Sequence, residues 1–507
     1  LSRILFITVD EQRFDALGCT GGKVAKTPRL DGLAYEGIVY ERAYVTNPTC
    51  MPSRASIMTG QHPATHGLTT NGISLPLEAP SFAEHLKDSG YRTALIGKAH
   101  LQPVMGEPER YWEVGAAGRG NTGPYRGFEH VLVSSHGKGV ARNHYQVWME
   151  KNAPEEFKCY LSQTTDDGKM NASGGGDTGA IQVHENKISK ENYHTYWLAD
   201  RSNEWIDERS EDEDWFLWLS FGDPHHPYQP PSSELGRVNW RDLDLPDAHQ
   251  GTPEAVREQL ATKPGHWSDF YEGVAHPATE IPMDFIPKDM TNDQVREINA
   301  RIHIMNELVD EAIGNVLDKL AERGWLEDTH IIFTSDHGSM QGDYGMMFKG
   351  PFHVDSLIRI PLIWRPASGF DFDKGRTSQP VSLLDLAPSF CKAAGVSSGD
   401  WMQGDVLPLH QNAERDFVIC EWDQDCRGVH IQISSIVSED YICSRYARTN
   451  RYPSGDGELY SYADDPHQQN NLWDDPTYRT VRDTLLKKLD ENLPPRRAEK
   501  LERRFGA

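Results

Sequence analysis

The chain has 507 residues, 51 Lys and Arg against 76 Asp and Glu, a formal net charge of −25, and 37% hydrophobic and 25% charged residues. That length and composition can bury a large core and exclude a disordered chain. The acidic balance argues against nucleic acid, which is held by a basic face that displaces counterions. No run of about eighteen apolar residues occurs, so no membrane-spanning helix is expected.

Residues 3–9, Arg-Ile-Leu-Phe-Ile-Thr-Val, read as a buried strand. No basic, apolar and small-residue leader precedes them, which leaves a cytoplasmic or periplasmic setting as the expectation. Thr27-Pro28 opens a helix with Leu30, Leu33 and Ala34 at helical spacing. Residues 38–45 read as strand, 81–89 as a short amphipathic helix stopped by Gly90, and 91–97 as strand again. Further on come an apolar strand at 215–221, a long periodic helix from about Asn292 to Arg323 closed by Gly324, and a buried strand at 329–334. Near-continuously apolar strands alternating with helices predict an α/β fold: a large mixed, mostly parallel sheet sandwiched by helices.

Two stretches interrupt the pattern. Residues 150–190 are polar and glycine-rich, and residues 230–290 hold many prolines and aromatics without clear period. Long irregular segments of this kind are often lids or binding loops. After Gly395 short alternating runs at 417–421 and 430–436 and a helix near 478–491 predict a smaller C-terminal α+β subdomain. The expected division is therefore 1–395 and 396–507. The Lys/Arg-rich tail at 495–504 reads as a solvated helix.

The seven cysteines are odd in number and scattered, so no disulfide framework is expected, and no CxxC pair suggests zinc. Chemistry-bearing residues gather instead at strand ends, where such sheets present ligands. Asp10-Glu11 closes the first strand, and Asp336-His337-Gly338 follows the strand at 329–334. Three carboxylates and an imidazole from two strand ends make a hard divalent-cation site. Gly97-Lys98-Ala99-His100 and Asp223-Pro224-His225-His226-Pro227-Tyr228 follow two other strands, and Lys349 lies twelve residues past His337. Two ammonium groups can neutralise an anionic ester as its charge shifts, while histidines move protons.

The segment Cys50-Met51-Pro52-Ser53-Arg54-Ala55-Ser56-Ile57-Met58-Thr59-Gly60 resembles the type I sulfatase signature, C-x-P-S-R-x-x-x-x-T-G, at every fixed position. Sulfatases belong to the alkaline phosphatase superfamily. The resemblance extends to G-K-x-H at 97–100, P-H-x-P at 224–227 and a common sulfatase ending at 458–472, so it spans nearly the whole chain. It implies that a maturation enzyme oxidises Cys50 to formylglycine, whose hydrated aldehyde is the nucleophile. One hydroxyl attacks sulfur, and the other then loses its proton and expels sulfate as the aldehyde re-forms. It further implies one cation, calcium in preference to Mg2+ or Mn2+, held by Asp10, Glu11, Asp336, His337 and the group at position 50. Lys98, Lys349 and His225 would contact the sulfate and leaving group, His100 would act as base in sulfate release, and Arg54 would hold the aldehyde hydrate.

Two positions depart from the commonest pattern. Glu11 replaces a second aspartate, with Gln12 as the alternative ligand if the register shifts by one, and His337 replaces asparagine. The implied reaction is hydrolysis of a sulfate monoester, whether aryl, alkyl or carbohydrate. The alternatives are a phosphonate monoester or phosphodiester hydrolase of the same superfamily, which often carries Asp-His at the later position, and a non-catalytic metal-binding homologue. The loops at 150–190 and 230–290 are the expected substrate pocket, with Trp267 or Tyr271 as stacking residues. Oligomeric state is not legible.

Overall fold

The strands Arg3–Val9, Trp215–Ser220 and Thr329–Ser335 are enclosed along their whole length, as their unbroken apolar character predicts. They form the centre of an eight-stranded sheet in the order Gly375–Thr377, Ile38–Tyr40, Leu362–Arg365, Thr329–Ser335, Arg3–Val9, Trp215–Ser220, Arg92–Gly97, His130–Val133. Leu362–Arg365 pairs antiparallel with both neighbours, and the other pairings are parallel. The computed structural model describes residues 2–104, 106–134, 142–159, 173–276, 281–282, 284–410, 415–426 and 428–504.

Alternation along Arg3–Val9 assigns the two faces. Ile4 and Phe6 join the core under the helices Cys50–Thr59, Phe82–Asp88 and Leu386–Ala394. Leu5, Ile7 and Val9 join the core under Pro28–Glu36, His194–Asp207 and Asn292–Glu322. The mixed sheet covered by helices on both faces is the expected fold class. The C-terminal unit is a four-stranded antiparallel sheet, Phe417–Cys426, Val429–Ser438, Tyr441–Tyr446 and Asp456–Ser461, with the helix Arg479–Asn492 packed on it.

Local signals mostly hold, with three corrections. Ser81 caps its helix by accepting from the Ala83 and Glu84 amides, and Thr291 with Gln294 forms a capping box on the long helix. Thr27, in contrast, makes no cap bond. The amides of Arg29 and Leu30 are taken instead by the Asp310 carboxylate, reaching across from the long helix at 3.1 and 2.8 Å. The run at 38–45 is two short strands in different sheets, Ile38–Tyr40 and Ala43–Tyr44. The tail is not a helix. After Pro494-Pro495 it runs extended against residues 64–73, with the Arg497 amide on Ala64 O and the Arg504 amide on Gly72 O, because paired prolines oppose helix and leave the main chain to bond elsewhere.

The irregular loops are also corrected in part. Trp267 and Tyr271 are buried in the core at 0% and 3% exposure, so neither presents a ring to a pocket. Trp267 packs on Phe352 with ring centroids 4.3 Å apart and on Tyr344 at 5.2 Å. Within the 150–190 excursion, residues 160–172 lie outside the described residues.

Candidate active site

Four adjacent parallel strands deliver the site from their C-terminal ends: Thr329–Ser335, Arg3–Val9, Trp215–Ser220 and Arg92–Gly97. They lead to Asp336-His337, Asp10-Glu11, His225 and Lys98 with His100. Cys50 arrives from one sheet face as the first residue of the helix Cys50–Thr59, all ten residues of which are buried. None of Asp10, Glu11, Cys50, Arg54, Lys98, His100, His225, Asp336, His337 and Lys349 exceeds 3% exposure. Charged groups are seldom enclosed unless paired, so this convergence is the polar heart of the fold.

Two glycines in the motifs have physical reasons. Gly97 adopts φ 123°, and a Cβ there would lie 1.8 Å from Ser220 O. Only glycine allows the contact that lets the Lys98 amide donate to Ser220 O at 2.9 Å. A Cβ on Gly338 would likewise meet Ser356 O at 2.1 Å. Glu11, His100 and Phe348 hold left-handed backbones at φ 65°, 55° and 65°. Such conformations cost about 1–3 kcal/mol each and gather where surrounding structure over-determines them.

At the head of that helix, Cys50 Sγ lies 3.0 Å from His337 Nε2 and 3.6 Å from Asp10 Oδ1, and accepts from Lys349 Nζ at 3.1 Å. Lys349 Nζ also stands 3.1 Å from His225 Nε2 and 3.5 Å from Glu11 Oε2. Lys98 Nζ is ion-paired with Asp10 Oδ2. Arg54 Nε donates to Asp336 Oδ2 at 2.7 Å, and its Nη1 donates to Lys98 O and Ser220 Oγ at 2.7 and 2.9 Å. Burial opposes the Arg54 charge, but the Asp336 and Asp10 carboxylates outweigh it and hold the guanidinium protonated.

The histidine tautomers follow from their carbonyl partners. His337 Nδ1 lies 2.7 Å from Gly338 O and His225 Nδ1 lies 2.6 Å from His226 O. A carbonyl only accepts, so both Nδ1 atoms carry hydrogen and both Nε2 atoms turn toward Cys50 and Lys349. Burial and then the Lys349 charge hold the His337 pKa below the ordinary imidazole range, against Asp336 and Asp10. The imidazole is thus a ready ligand.

Asp10, Cys50, Asp336 and His337 place one ligand atom each within 4.8 Å of one another, a compact buried set of two carboxylates, a sulfur and an imidazole lone pair. That set fits a divalent cation. Glu11 groups instead with His225 and His226. The Lys349 ammonium already stands beside this second group, 3.5 Å from Glu11 Oε2 and 3.1 Å from His225 Nε2. Gln12 turns away from the site, and its Nε2 donates to Asn306 Oδ1 on the long helix at 2.8 Å.

Several supporting residues escaped the sequence reading. Ser220 Oγ accepts from Arg54 and donates to Lys98 O at 2.7 Å, while Thr8 Oγ1 donates to it at 3.0 Å. The signal for this pair was a single hydroxyl interrupting each apolar strand. Asp223 accepts from Tyr193 Oη, His194 Nε2 and Thr195 Oγ1 at 3.2, 2.8 and 2.6 Å, anchoring the loop that carries His225. Asn71 Oδ1 accepts the Met51 amide at 3.0 Å, next to Cys50. Asp223 opens the segment that carries His225 but was given no role there, and no sequence pattern marked Asn71.

The family model described as Sulfatase matches residues 2–396, and the chain belongs to that family. A second model, N-sulphoglucosamine sulphohydrolase, C-terminal, matches residues 342–494. An arylsulfatase of Clostridium perfringens is 27% identical over 507 aligned positions, covering 97% of this chain and 94% of that protein. Among solved structures, the phosphonate monoester hydrolase of Agrobacterium radiobacter aligns with a TM-score of 0.78 at 24% identity, over 97% of this chain and 95% of the other. A protein solved in complex with its substrate D-glucosamine-2-N,6-O-disulfate aligns with a TM-score of 0.69 at 21% identity, over 97% of both chains. The chain is accordingly an enzyme of the sulfatase class, a hydrolase of sulfate esters.

Proposed function

We propose that the enzyme cleaves sulfate monoesters of aryl or carbohydrate alcohols with a formylglycine nucleophile made from Cys50 and one divalent cation, calcium. The observation that carries the reading is the position of Cys50 Sγ, at the head of the family signature and within 3.0–3.6 Å of His337, Lys349 and Asp10. The arylsulfatase relative supports the aryl arm, and the sulfated glucosamine named as substrate of the structural neighbour supports the carbohydrate arm.

Once formed, the formylglycine would supply a hydrated aldehyde hydroxyl as nucleophile. Asp10, Asp336 and His337 would hold the cation, with Glu11 beside them, and the cation would supply Lewis-acid polarisation of the nucleophile and of a sulfate oxygen. The chain's own charges then set the field. Asp10, Glu11 and Asp336 are balanced by Arg54, Lys98 and Lys349, so a bound dication leaves the pocket positive inside an envelope of net charge −25. Lys98 and Lys349 neutralise the sulfate group as charge moves onto the leaving oxygen. His225 keeps one proton on Nδ1 through His226 O, and a second on Nε2 would be supported by Glu11 Oε2 at 3.3 Å, the form needed to protonate the leaving alcohol. His100, two residues past Lys98, is assigned to proton removal in sulfate release.

Sulfate release from para-nitrophenyl sulfate should vanish in Cys50→Ala, and mass spectrometry of the peptide spanning residues 50–54 should show the aldehyde in active preparations. Cys50-independent turnover would overturn the reading. His337 in place of asparagine favours a second activity, phosphonate monoester hydrolysis. Phenyl phosphonate esters should then turn over more slowly than phenyl sulfate at the same site.

A further inference from the structure

Tyr228 closes the segment Asp223-Pro224-His225-His226-Pro227-Tyr228, and the reading above gives it no task. Its main chain is fixed: the amide donates to Gln182 O at 2.7 Å, and the residue bridges to Val183. Its ring lies between two catalytic segments. One neighbour is Phe348, ring centroids 6.3 Å apart and nearly parallel at 14°, and Phe348 directly precedes Lys349. The other is His226 at 6.1 Å, which directly follows His225. The two segments meet where Lys349 Nζ and His225 Nε2 stand 3.1 Å apart.

The hydroxyl sets this tyrosine apart. Tyr228 is 1% exposed, and its Oη has no hydrogen-bond partner among the described residues. Other enclosed tyrosines place theirs: Tyr40 on Pro408 O at 2.9 Å, Tyr145 on Asn192 O at 2.7 Å, Tyr344 on His467 O at 2.7 Å. A buried hydroxyl left unpaired destabilises the fold, and a phenylalanine would fill the same space without that loss. The charges that bear on the phenol are those of the active site. Burial raises its pKa, the Glu11 carboxylate raises it further and the Lys349 ammonium opposes, so the group stays a neutral donor.

We propose that the Tyr228 hydroxyl donates a hydrogen bond to an oxygen of the bound sulfate ester, on the side where Lys349 and His225 meet. The inference rests on the sulfatase reading and adds a substrate-binding donor to it. A preorganised neutral donor in a dry pocket costs no reorganisation when charge develops on the ester. The same bond would hold inorganic sulfate, the product, which shares those oxygens.

Tyr228→Phe tests this in full-length, matured enzyme. Because the hydroxyl has no partner among the described residues, its removal should leave the melting temperature unchanged or raised. The kcat/KM for para-nitrophenyl sulfate should fall roughly 10- to 100-fold, and competitive inhibition by inorganic sulfate should weaken. A kcat/KM within about twofold of the parent would overturn the proposal, as would an activity loss matched by a lower melting temperature, since that would make the hydroxyl structural. The two readings fail separately: absence of Cys50-dependent sulfate release in the parent enzyme defeats the function, whereas an unaffected Tyr228→Phe variant defeats this inference alone.

Discussion

Glu421 shows how enclosure overrides a residue's ordinary chemistry. It lies on the strand Phe417–Cys426, accepts from the Ala64 amide at 3.3 Å and faces His62 Nδ1 at 3.6 Å. Burial pushes its carboxyl up to about 7 from 4.5, and burial together with the Arg415 charge pushes His62 down to about 4. Between about pH 4 and 6.5 His62 binds fewer protons in the folded state than in the unfolded one, whereas Glu421 binds more between 4.5 and about 7. The Glu421 stabilisation is complete below pH 4.5 and is lost as pH rises through 7. The shift corresponds to about 3 kcal/mol. Glu421→Gln keeps an acceptor for Ala64 and removes the titration, so its melting temperature should exceed the parent's at pH 8 and match it near pH 5. Equal melting temperatures at both pH values would contradict this assignment. Nothing in the sequence near Glu421 announces it, because its enclosure comes from residues 62–64, far away in the chain. The candidate site residues were more legible: Cys50, Lys98, His225 and Asp336 each sit in a short pattern tied to a strand end or a helix start.

Between His337 and Lys349 the chain forms a tight hairpin, with the Met340 amide on Phe348 O at 2.9 Å and the Gly342 amide on Met346 O at 2.8 Å. Its tip, Tyr344, is left-handed at φ 56° and is clamped by Lys263. The Lys263 ammonium lies 4.7, 4.6 and 4.5 Å from the ring centroids of Trp267, Tyr344 and Tyr460, and donates to Tyr460 Oη at 2.7 Å and Gln468 O at 2.8 Å. Tyr460 Oη in turn donates to the buried Glu458 carboxylate at 2.5 Å. Lys263→Met would leave Gln468 O unpaired and Glu458 without its nearby cation, a loss on the order of 2 kcal/mol. Amide exchange across 340–349 should quicken in that variant, and unchanged exchange would show the hairpin to be held without Lys263. The sequence reading placed strands and helices within a few residues because their periodicity is local. It missed this hairpin, the Asp310 cap and the extended tail, each of which depends on a partner far along the chain.

At the scale of the whole molecule, the buried set of Asp10, Asp336 and His337 ties two central strands to one site. A resident cation would bind the folded chain and not the unfolded one, adding about 2.7 kcal/mol at a hundredfold excess over its dissociation constant. Chelation should therefore lower the melting temperature by several degrees, and calcium should restore it better than magnesium. A melting temperature indifferent to chelator would remove the cation from the proposal. The amino-acid sequence by itself determined the α/β class, the signature around Cys50 and the strand ends that carry the acids, lysines and histidines, because these are written in short-range pattern. Only the tertiary structure decided that Glu11 stands with His225 and Lys349, that Gln12 turns to Asn306, and that Trp267 and Tyr271 belong to the core. Direction and enclosure depend on which distant segments pack together, and no local pattern encodes them. Cys50 meets the acids, lysines and histidines only where four strand ends, brought together by the parallel sheet, surround it.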